Sequence, residues 1–492
     1  MADEASYVAV DLGAGSGRVV LGRFPERGLE LEEIHRFPNP VRTAAGRLRW
    51  DAAYLVAAIE TGLAAAAATA PANLRSVGVD TWGVDFGLLD AAGRLLEDPV
   101  CYRDPRTDGA MEAAFSRIPR AAIYDLTGIQ FLPFNTLFQL SAQRALGEWP
   151  AGVARLLLMP DLMHHHLSGA TVGEFTAATT TQLVNARTRT WEPALFAALD
   201  LELEVMPELV PPGTELGRLR PELARRLDLP ELRVVAPAAH DTASAVAGTP
   251  LEPGWLFLSS GTWSLLGRET PAPVLSASAF AHDFTNEGGA AGRNRFLKNV
   301  MGLWILESCR REWAAVGADV DHAALAARIE AAPPLRALVC TDDLRFLNPP
   351  SMLAALAAFL HETGQPAVEE PGAVARMILE SLALRYASIA ERLVEVTGEA
   401  ARGLHIVGGG SRNAFLNQAT ADAAGLPVRT GPAEATALGN LLVQAITDGR
   451  FGSLDEGRDH LRAHTSLCDF TPRPTPAWRE ARARYRELES RA

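Results

Sequence analysis

Near the midpoint of the chain lies the segment PAAHDTASAV, residues 237–246. It follows a β-like run at 232–235, and its small residues predict the tightly packed start of a helix. A carboxylate at a helix N-terminus keeps its charge easily, because unpaired backbone N–H groups and the helix dipole favour an anion. Asp241 could therefore take a proton from a substrate hydroxyl. The alternative is an Asp or Thr that only caps the helix, which is far commoner.

Length and composition define the broad class of protein. The 492 residues are too many for one ordinary core and predict two large domains or three smaller ones. Hydrophobic residues at 48% and charged residues at 21% describe a globular chain. The net charge of −13 argues against a broad nucleic-acid face, while leaving room for a local basic pocket for a phosphorylated ligand. Lys298 is the only lysine, which singles it out for attention.

Cysteine spacing and the chain start indicate the compartment. The cysteines at 101, 309, 340 and 468 form no Cys-x-x-Cys pair and fit reduced thiols. The acidic residues 1–4 lead directly into a strand, which predicts no signal peptide. No uninterrupted apolar run reaches the length of a membrane span. We therefore expect a soluble, cytoplasmic protein with neither membrane nor nucleic-acid partners.

A glycine-rich turn joins the first two predicted strands. The strand at 7–12, the turn GAGSGR at 13–18 and the return strand at 19–24 predict a β-hairpin rather than a P-loop or a dinucleotide fingerprint. Glycines let backbone N–H groups approach phosphate oxygens, and Ser16 and Arg18 can add donors. Asp11, at the end of the first strand, could hold Mg²⁺ through water. A tight hairpin with an incidental aspartate is the alternative.

A second turn, TWGVDFGLLD at 81–90, follows a predicted strand at 77–80 and predicts another hairpin. Trp82 between Asp80 and Asp85 suits a sugar, because an aromatic ring stacks on apolar C–H faces while carboxylates bind hydroxyls. A core tryptophan beside turn aspartates explains the same pattern.

The second half of the chain resembles the first. After a Gly- and Pro-rich break at 248–254, a strand at 255–258, a turn SSGT at 259–262 and a return strand at 263–266 predict a further hairpin. Its end, Gly267-Arg268, is similar to that of the N-terminal hairpin, so we expect two halves of the same topology, each with a phosphate-binding hairpin. We place the domain boundary between them, giving domains 1–247 and 248–492.

A glycine run marks the C-terminal half. The apolar stripe at 374–396 predicts a long helix ended by Gly398. A buried strand at 404–407 then runs into GGG at 408–410, where a flat ring or a phosphate could lie against the backbone. A compact turn is the alternative for these glycines.

Seven motifs, taken together and in order, resemble the FGGY family of carbohydrate kinases over nearly the whole chain. They are DLGAGSGR (11–18), DTWGVDF (80–86), YRDPR (102–106), HDTAS (240–244), SSGTWS (259–264), LKNVMGLW (297–304) and IVGGG (406–410). The resemblance implies an α/β fold of two actin-like ATPase (ribonuclease H-like) domains around a central inter-domain cleft. It also implies ATP-dependent phosphorylation of L-rhamnulose at its 1-hydroxyl in rhamnose catabolism.

The resemblance also implies roles for individual residues. Asp241 is expected to be the base that takes the hydroxyl proton, and Asp11 is expected to hold Mg²⁺. The expected substrate-binding residues are Trp82, Gly83, His240, Asp241, Thr242 and Asn299. The expected ATP-binding residues are Ala14, Gly15, Ser16, Gly17, Arg18, Thr262, Glu307 and Gly409.

Two positions depart from the family pattern. Glu307 stands where relatives carry glutamine near the nucleotide, and a carboxylate facing phosphates would repel them unless it binds metal or turns away. The turn Gly15-Ser16-Gly17 departs from the Ser-Ser-Gly form and lacks one possible hydroxyl donor.

Other functions stay open at this point. A kinase for another ketose, such as L-fuculose or D-xylulose, would share the ATP machinery but need a different pocket at 82–86 and 131–135. A catalytically inactive sugar- or nucleotide-binding regulator is a further alternative, against which Asp11 and Asp241 together argue. A chaperone of the same ATPase fold would lack a base such as Asp241. The oligomeric state stays open between monomer and dimer.

Overall fold

The computed structural model describes residues 5–70, 73–317, 321–473 and 475–491, and the acidic segment 1–4 lies outside the described residues. The strands are β1 (Ser6–Leu12), β2 (Ser16–Arg23), β3 (Glu30–Pro38), β4 (Val41–Ala44), β5 (Arg47–Trp50), β6 (Leu74–Thr81), β7 (Phe86–Leu89), β8 (Arg155–Leu158), β9 (Val172–Glu174), β10 (Glu208–Val210), β11 (Glu215–Arg218), β12 (Arg233–Val235), β13 (Trp255–Ser260), β14 (Trp263–Thr270), β15 (Thr285–Gly288), β16 (Asn294–Met301), β17 (Gly403–Val407), β18 (Val428–Thr430) and β19 (Cys468–Phe470).

The α-helices are α1 (Ala52–Thr69), α2 (Ala110–Phe115), α3 (Arg120–Thr127), α4 (Thr136–Ala145), α5 (Met159–Ser168), α6 (Phe175–Thr179), α7 (Pro193–Leu199), α8 (Pro221–Leu227), α9 (Asp241–Ala247), α10 (Ala277–Ala281), α11 (Trp304–Ala315), α12 (His322–Ala331), α13 (Met352–Glu362), α14 (Pro371–Thr397), α15 (Ala414–Ala424), α16 (Ala435–Thr447), α17 (Leu454–His464) and α18 (Pro476–Glu489). Short 3₁₀ turns lie at Pro105–Thr107, Leu203–Val205, Ala290–Gly292, Leu344–Phe346 and Gly409–Arg412.

Two sheets repeat one local topology. The first has the order β11-β12-β6-β1-β2-β3, and the second has the order β15-β16-β14-β13-β17-β18-β19. In the first, β1 pairs antiparallel with β2 and parallel with β6. In the second, β13 pairs antiparallel with β14 and parallel with β17. The predicted hairpins, β1–β2 in the first half and β13–β14 in the second, are confirmed, as is the shared topology of the two halves.

The hairpin predicted at 81–90 is wrong. Strand β6 pairs with β1 and β12, whereas β7 pairs antiparallel with β8 in a separate two-stranded sheet. The chain turns away after β6, because Val84 adopts a left-handed backbone conformation with φ of 69°. Strand β7 is thereby directed to a partner about 70 residues further along the chain, which a local reading of turn signals does not anticipate.

The described chain divides into two compact units. The first comprises Met1–Pro250, Glu269–Phe296 and Ala435–Thr465, and the second comprises Leu251–Arg268, Leu297–Glu434 and Ser466–Ala492. The first unit has apolar clusters on both faces of its sheet, one that includes α1 and one that includes α16. In the second unit the predicted long helix is confirmed as α14, with Pro371 at its first position and Gly398 at φ 69° ending it.

Helix α1 is, among the described residues, the one helix long and apolar enough to cross a bilayer. Half of its apolar window is buried inside the protein. Leu55, Ile59 and Leu63 lie in the apolar cluster against the first sheet, with at most 1% of their surface exposed. The alanine-rich composition of α1 is thus that of a helix packed on a sheet.

Two glycines fix helix α9 against α16. A Cβ at Gly439 would lie 1.8 Å from the carbonyl oxygen of Ser244, and a Cβ at Gly248 would lie 2.1 Å from that of Ala435. The two helices therefore meet backbone to backbone, which only glycine permits. Helix α9 begins at Asp241, so this contact fixes the position of the segment at 237–246 that contains it.

We expect Gly439→Ala to destabilise the protein by about 2 kcal/mol or more, because its methyl group would overlap backbone atoms that cannot rotate away. Thermal unfolding followed by circular dichroism measures the effect. Gly452→Ala is the control, since the one neighbour a Cβ would meet there is the flexible end of Glu456, at 3.2 Å. Equal melting temperatures for the two variants would contradict the prediction.

Candidate active site

Three acidic positions are gathered where parallel strands of the first sheet end. Asp11 on β1 is the register partner of Asp80 on β6. Beyond β6, the N–H of Thr81 donates to the carbonyl of Ala239 at 2.9 Å, and Thr81 bridges to His240. The carboxyl ends of β1 and β6 therefore lie beside the His240–Asp241 pair.

The carboxylates of Asp11 and Asp80 accept hydrogen bonds from different groups. Arg18, across the hairpin, donates to Asp11 through Nε at 2.9 Å and through Nη2 at 2.7 Å. Asp80 is fully buried and accepts from the side chain of Asn440 at 2.6 Å, while its Oδ1 has no hydrogen-bond partner among the described residues. Burial, and then the negative charge of Asp11, raise the pKa of Asp80 well above its usual value.

Asp241 is the first residue of α9, as the sequence predicts. Its Oδ1 accepts from the N–H of Thr242 at 2.5 Å and from the Thr242 hydroxyl at 3.1 Å, and it lies 3.3 Å from Nε2 of His240. Burial raises the pKa of Asp241, while the neighbouring His240 and the hydrogen bonds of Thr242 lower it. The side chain still keeps 30% of its surface exposed, so a ligand can reach it.

His240 is enclosed by groups that the sequence analysis did not single out. It is 8% exposed, and its Nδ1 lies 3.0 Å from a guanidinium nitrogen of Arg295 and 3.4 Å from a carboxylate oxygen of Glu287. Its backbone N–H donates to the hydroxyl of Thr176 at 3.1 Å. The local sequence gives little signal for this cluster, because strand β16 reads NRFLKNVM and half of its eight residues are polar.

Asp85 does not present its carboxylate to a ligand, which corrects the expectation that it binds sugar hydroxyls. Only 1% of its surface is exposed. Its Oδ2 accepts from the indole N–H of Trp50 at 2.6 Å, from that of Trp82 at 3.0 Å and from the backbone N–H of Tyr102 at 3.1 Å. Its Oδ1 accepts from the amide of Gln139 at 3.0 Å. The carboxylate therefore anchors the loop that follows β6.

This anchoring sets the positions of Trp82 and Gly83. Trp82 is 6% exposed and stacks at a tilt on Trp50, with ring centroids 4.4 Å apart, so most of its ring is core. A Cβ at Gly83 would lie 2.9 Å from the hydroxyl of Thr180. Glycine thus lets the backbone at 83 approach α6 and its neighbours closely. Substrate contacts by Trp82 and Gly83 stay predictions.

The first glycine-rich turn is open where a phosphate would approach. Gly15 and Ser16 are exposed, and a Cβ at Gly15 would meet no atom within 4 Å. Gly17 serves packing, because a Cβ there would lie 2.4 Å from the ring of Phe37. Ala14 is half-buried, and the turn closes with an N–H to carbonyl bond from Gly13 to Ser16 at 2.9 Å.

The second unit has a comparable pair of turns. Thr262 is exposed at the tip of the β13–β14 hairpin, and its carbonyl accepts from Gly302 at 3.1 Å and from Trp304 at 3.2 Å. In the glycine run, a Cβ at Gly410 would lie 2.0 Å from the hydroxyl oxygen of Ser260, whereas a Cβ at Gly409 would meet nothing within 4 Å. The run therefore packs on the hairpin and leaves Gly409 exposed.

The remaining predicted residues of the second unit lie on β16 and α11. Asn299 is half-buried on β16, next to Lys298, which is 9% exposed. Glu307 lies in the first turn of α11 with half of its side chain exposed, 3.2 Å from Arg310. The arginine partly offsets the charge of this carboxylate.

The carboxylates at this sheet edge could serve as ligands of a metal ion that keeps most of its water. Among the described residues, no group of three or more His, Cys, Asp or Glu side chains could hold an ion. Mg²⁺ keeps most of its water and commonly takes one or two carboxylates. Asp11, with the unsatisfied Oδ1 of Asp80 on the adjacent strand, fits a hydrated Mg²⁺ of this kind.

Sequence comparison identifies relatives of known family. The chain matches the models for the FGGY family of carbohydrate kinases, N-terminal domain over residues 6–248 and C-terminal domain over residues 256–447. It is 45% identical over 475 residues to a rhamnulokinase of Bacteroides thetaiotaomicron, covering 96% of this chain and 97% of that one. It is 42% identical over 460 residues to a rhamnulokinase of Enterococcus faecalis, covering 93% and 92%.

Solved structures share the fold. A gluconate kinase from Lactobacillus acidophilus superposes with a TM-score of 0.83 at 16% identity, covering 99% of this chain and 98% of that one. A xylulose kinase from the same organism gives 0.82 at 15% identity, with 99% and 98% covered. The predicted two-domain α/β fold is confirmed.

Asp85, in the loop after β6, should make the free energy of unfolding depend on pH. Burial raises the pKa of Asp85 to about 6, whereas an aspartate in an unfolded chain titrates near 4. Between these values the folded protein holds a proton that the unfolded chain has lost, so this group's contribution to stability falls as pH rises through the window. We expect the free energy of unfolding of the native protein, relative to Asp85→Asn, to fall by about 2–3 kcal/mol from pH 4 to pH 7.

Urea unfolding across this range measures the difference, and tryptophan fluorescence gives a local readout, because Trp50 and Trp82 both contact the carboxylate. The fluorescence change near pH 6 should be absent in Asp85→Asn. Asp90→Asn, in the turn that follows β7, should behave like the native protein. A pH-independent difference between the native protein and Asp85→Asn would contradict the assignment.

Proposed function

The chain belongs to the FGGY family of carbohydrate kinases, and from this premise we propose that it transfers a phosphoryl group from ATP to the 1-hydroxyl of L-rhamnulose, in rhamnose catabolism. The observation that carries the choice of sugar is the 45% identity, over 97% of its length, to a protein named rhamnulokinase. The remaining kinases among the solved structures share the fold at 14–21% identity, which is too little to indicate a substrate.

We propose Asp241 as the general base. Every contact described for its carboxylate falls on Oδ1, which Thr242 and His240 hold. Oδ2 therefore stays available, within the described residues, to accept a substrate hydroxyl proton. A carboxylate that is held through one oxygen and keeps 30% of its side chain exposed can come within hydrogen-bond reach of a substrate hydroxyl, as proton transfer requires.

The rate of phosphoryl transfer depends more on the positioning of the reactants than on the strength of the base. The transition state is loose, so holding the phosphates in line and neutralising their charge supply most of the rate enhancement. The open backbone at 14–17, with Ser16 and Arg18, and the exposed positions Thr262 and Gly409 are the proposed ATP contacts. Asp11 would hold Mg²⁺ with Asp80 beside it; when bound, the metal neutralises phosphate charge. Glu307 is proposed near the nucleotide, with Arg310 offsetting its charge.

The sugar would meet residues around Asp241. We propose that Gly83, His240, Thr242 and Asn299 bind it, and that Trp82 contributes the edge of its ring.

We further propose residues 1–247 and 248–492 as the two kinase domains, and the cytoplasm as the place of action. A family member specific for L-fuculose or D-xylulose is the second candidate. An inactive regulator is disfavoured, because Asp11 and an accessible Asp241 are both present.

We expect Asp241→Asn to fold and to lose turnover by about 10²- to 10⁴-fold, because the amide keeps the Oδ1 contacts but cannot take a proton. Coupled ADP release with Mg-ATP and L-rhamnulose measures the loss, and isothermal titration should show that ATP still binds. Asp459→Asn, an exposed substitution whose acid pairs with Arg462, is the control. Near-native turnover in Asp241→Asn would remove Asp241 from the role of base.

The substrate is tested with the native protein and a panel of L-rhamnulose, L-fuculose, D-xylulose and glycerol. We expect kcat/KM to be highest for L-rhamnulose. A preference for another sugar would keep the kinase and reject this substrate, whereas no turnover on any would favour a binding protein.

A further inference from the structure

We propose that Arg295 is a positioning residue, which fixes the tautomer of His240 so that its Nε2–H donates to Asp241 and orients the carboxylate. The inference rests on the proposed role of Asp241 as base. Arg295 is a buried residue that belongs to none of the sequence motifs and lies 54 positions after Asp241 in the chain.

The hydrogen-bond partners of His240 determine which of its ring nitrogens carries the proton. Arg295 is fully buried, and its Nη2 lies 3.0 Å from Nδ1 of His240. A guanidinium has only donors and stays charged in proteins. Nδ1 must therefore be the acceptor, which places the imidazole proton on Nε2. Nε2 lies 3.3 Å from Oδ1 of Asp241, so that proton is directed at the carboxylate.

The opposite tautomer is excluded while Arg295 is in place. A proton on Nδ1 would face the N–H of Arg295 at a donor–donor distance of 3.0 Å. It would also leave the lone pair of Nε2 facing the Asp241 carboxylate, which is repulsive. Without Arg295, Glu287 at 3.4 Å from Nδ1 would favour that wrong tautomer, because it can only accept when ionised.

Arg295 is itself held in one orientation. Its Nε donates to the carbonyl of Gly288 at 2.7 Å, and Nη2 also lies 3.1 Å from a carboxylate oxygen of Glu287. Glu287 is 4% exposed and supplies the negative charge that a buried guanidinium needs. Successive polar contacts thus connect Glu287 to Arg295, Arg295 to His240, and His240 to Asp241.

The backbone of His240 is fixed separately. The hydroxyl of Thr176 accepts from the His240 N–H at 3.1 Å and donates to Glu174 at 2.6 Å. Glu174 also accepts from the N–H of Ala239 at 3.1 Å. Because the backbone does not depend on Arg295, removing the arginine should change the ring's tautomer without displacing the residue.

The test compares Arg295→Met with Arg295→Lys. We expect Arg295→Met to lower kcat by about 10- to 100-fold, with KM for L-rhamnulose nearly unchanged, because a misoriented base slows the chemical step. Arg295→Lys should recover most of kcat, since an ammonium also donates to Nδ1. ¹⁵N NMR of histidine-labelled protein at about pH 8.5, assigned with His240→Gln, should show the Nε2–H tautomer in the native protein and in Arg295→Lys, and its loss in Arg295→Met.

Arg458→Met is the matched control. Arg458 is also buried and paired with a glutamate, Glu269 at 2.7 Å, but it donates to the carbonyls of Val246 and Ala247 at the far end of the same helix. The Arg458→Met variant should have a lower free energy of unfolding than the native protein. Its His240 tautomer and the kcat of its folded form should be unchanged. If Arg295→Met does not fold, the ¹⁵N spectrum of the native protein still tests the inference, because an Nδ1–H tautomer of His240 there would overturn it.

Native kcat in Arg295→Met, or an unchanged tautomer there, would overturn the inference. An equal loss of kcat in Arg458→Met would reduce Arg295 to a structural role. The NMR readout does not depend on turnover, so an active Asp241→Asn would reject the proposed base while the tautomer measurement still decides the role of Arg295.

Discussion

Negative charge collected at the carboxyl ends of neighbouring parallel strands is the constraint on which the first unit depends. The pairing of β1 with β6, and of β6 with β12, brings Asp11, Asp80 and Asp241 to one edge of the sheet. Like charges in a poorly solvated place repel, so each carboxylate needs a counter-group. Arg18, Asn440 and His240 provide them from three different segments of the chain. The site is therefore complete only when these distant segments have folded together.

The glycines of the motifs divide into two physical kinds. Gly17, Gly410 and Gly439 lie where any Cβ would overlap a neighbour, so they set the shape of a turn or the distance between helices. Gly15 and Gly409 meet nothing within 4 Å and leave backbone exposed. The first kind holds the turn in place, and the second kind is where a ligand can approach. A sequence motif written as a run of glycines hides this difference, which appears only once the neighbours are known.

The sequence predicted what local pattern determines. The hairpins β1–β2 and β13–β14, the helix that starts at Asp241 and the long helix α14 follow from turn residues, caps and apolar periodicity, and the structure confirms these elements. The predicted hairpin at 81–90 failed because β7 finds its partner in β8, far along the chain. Asp85 looked like a sugar ligand, because nothing local shows that Trp50 lies against it. Arg295 was missed for the same reason, since its partner His240 is 55 positions away.

Arg295 and Arg458, each with at most 2% of its surface exposed, show that buried arginines of the first unit can have different roles. Arg458 uses all three of its nitrogens on Glu269 and on carbonyls at the end of α9, as expected for a residue that holds a fold together. Arg295 directs one nitrogen at an imidazole, and its Nη1 has no hydrogen-bond partner among the described residues. Burying such a group costs free energy that an apolar side chain would not. That cost is understandable if Arg295 is retained for the proton it forces onto the far side of His240, beside Asp241.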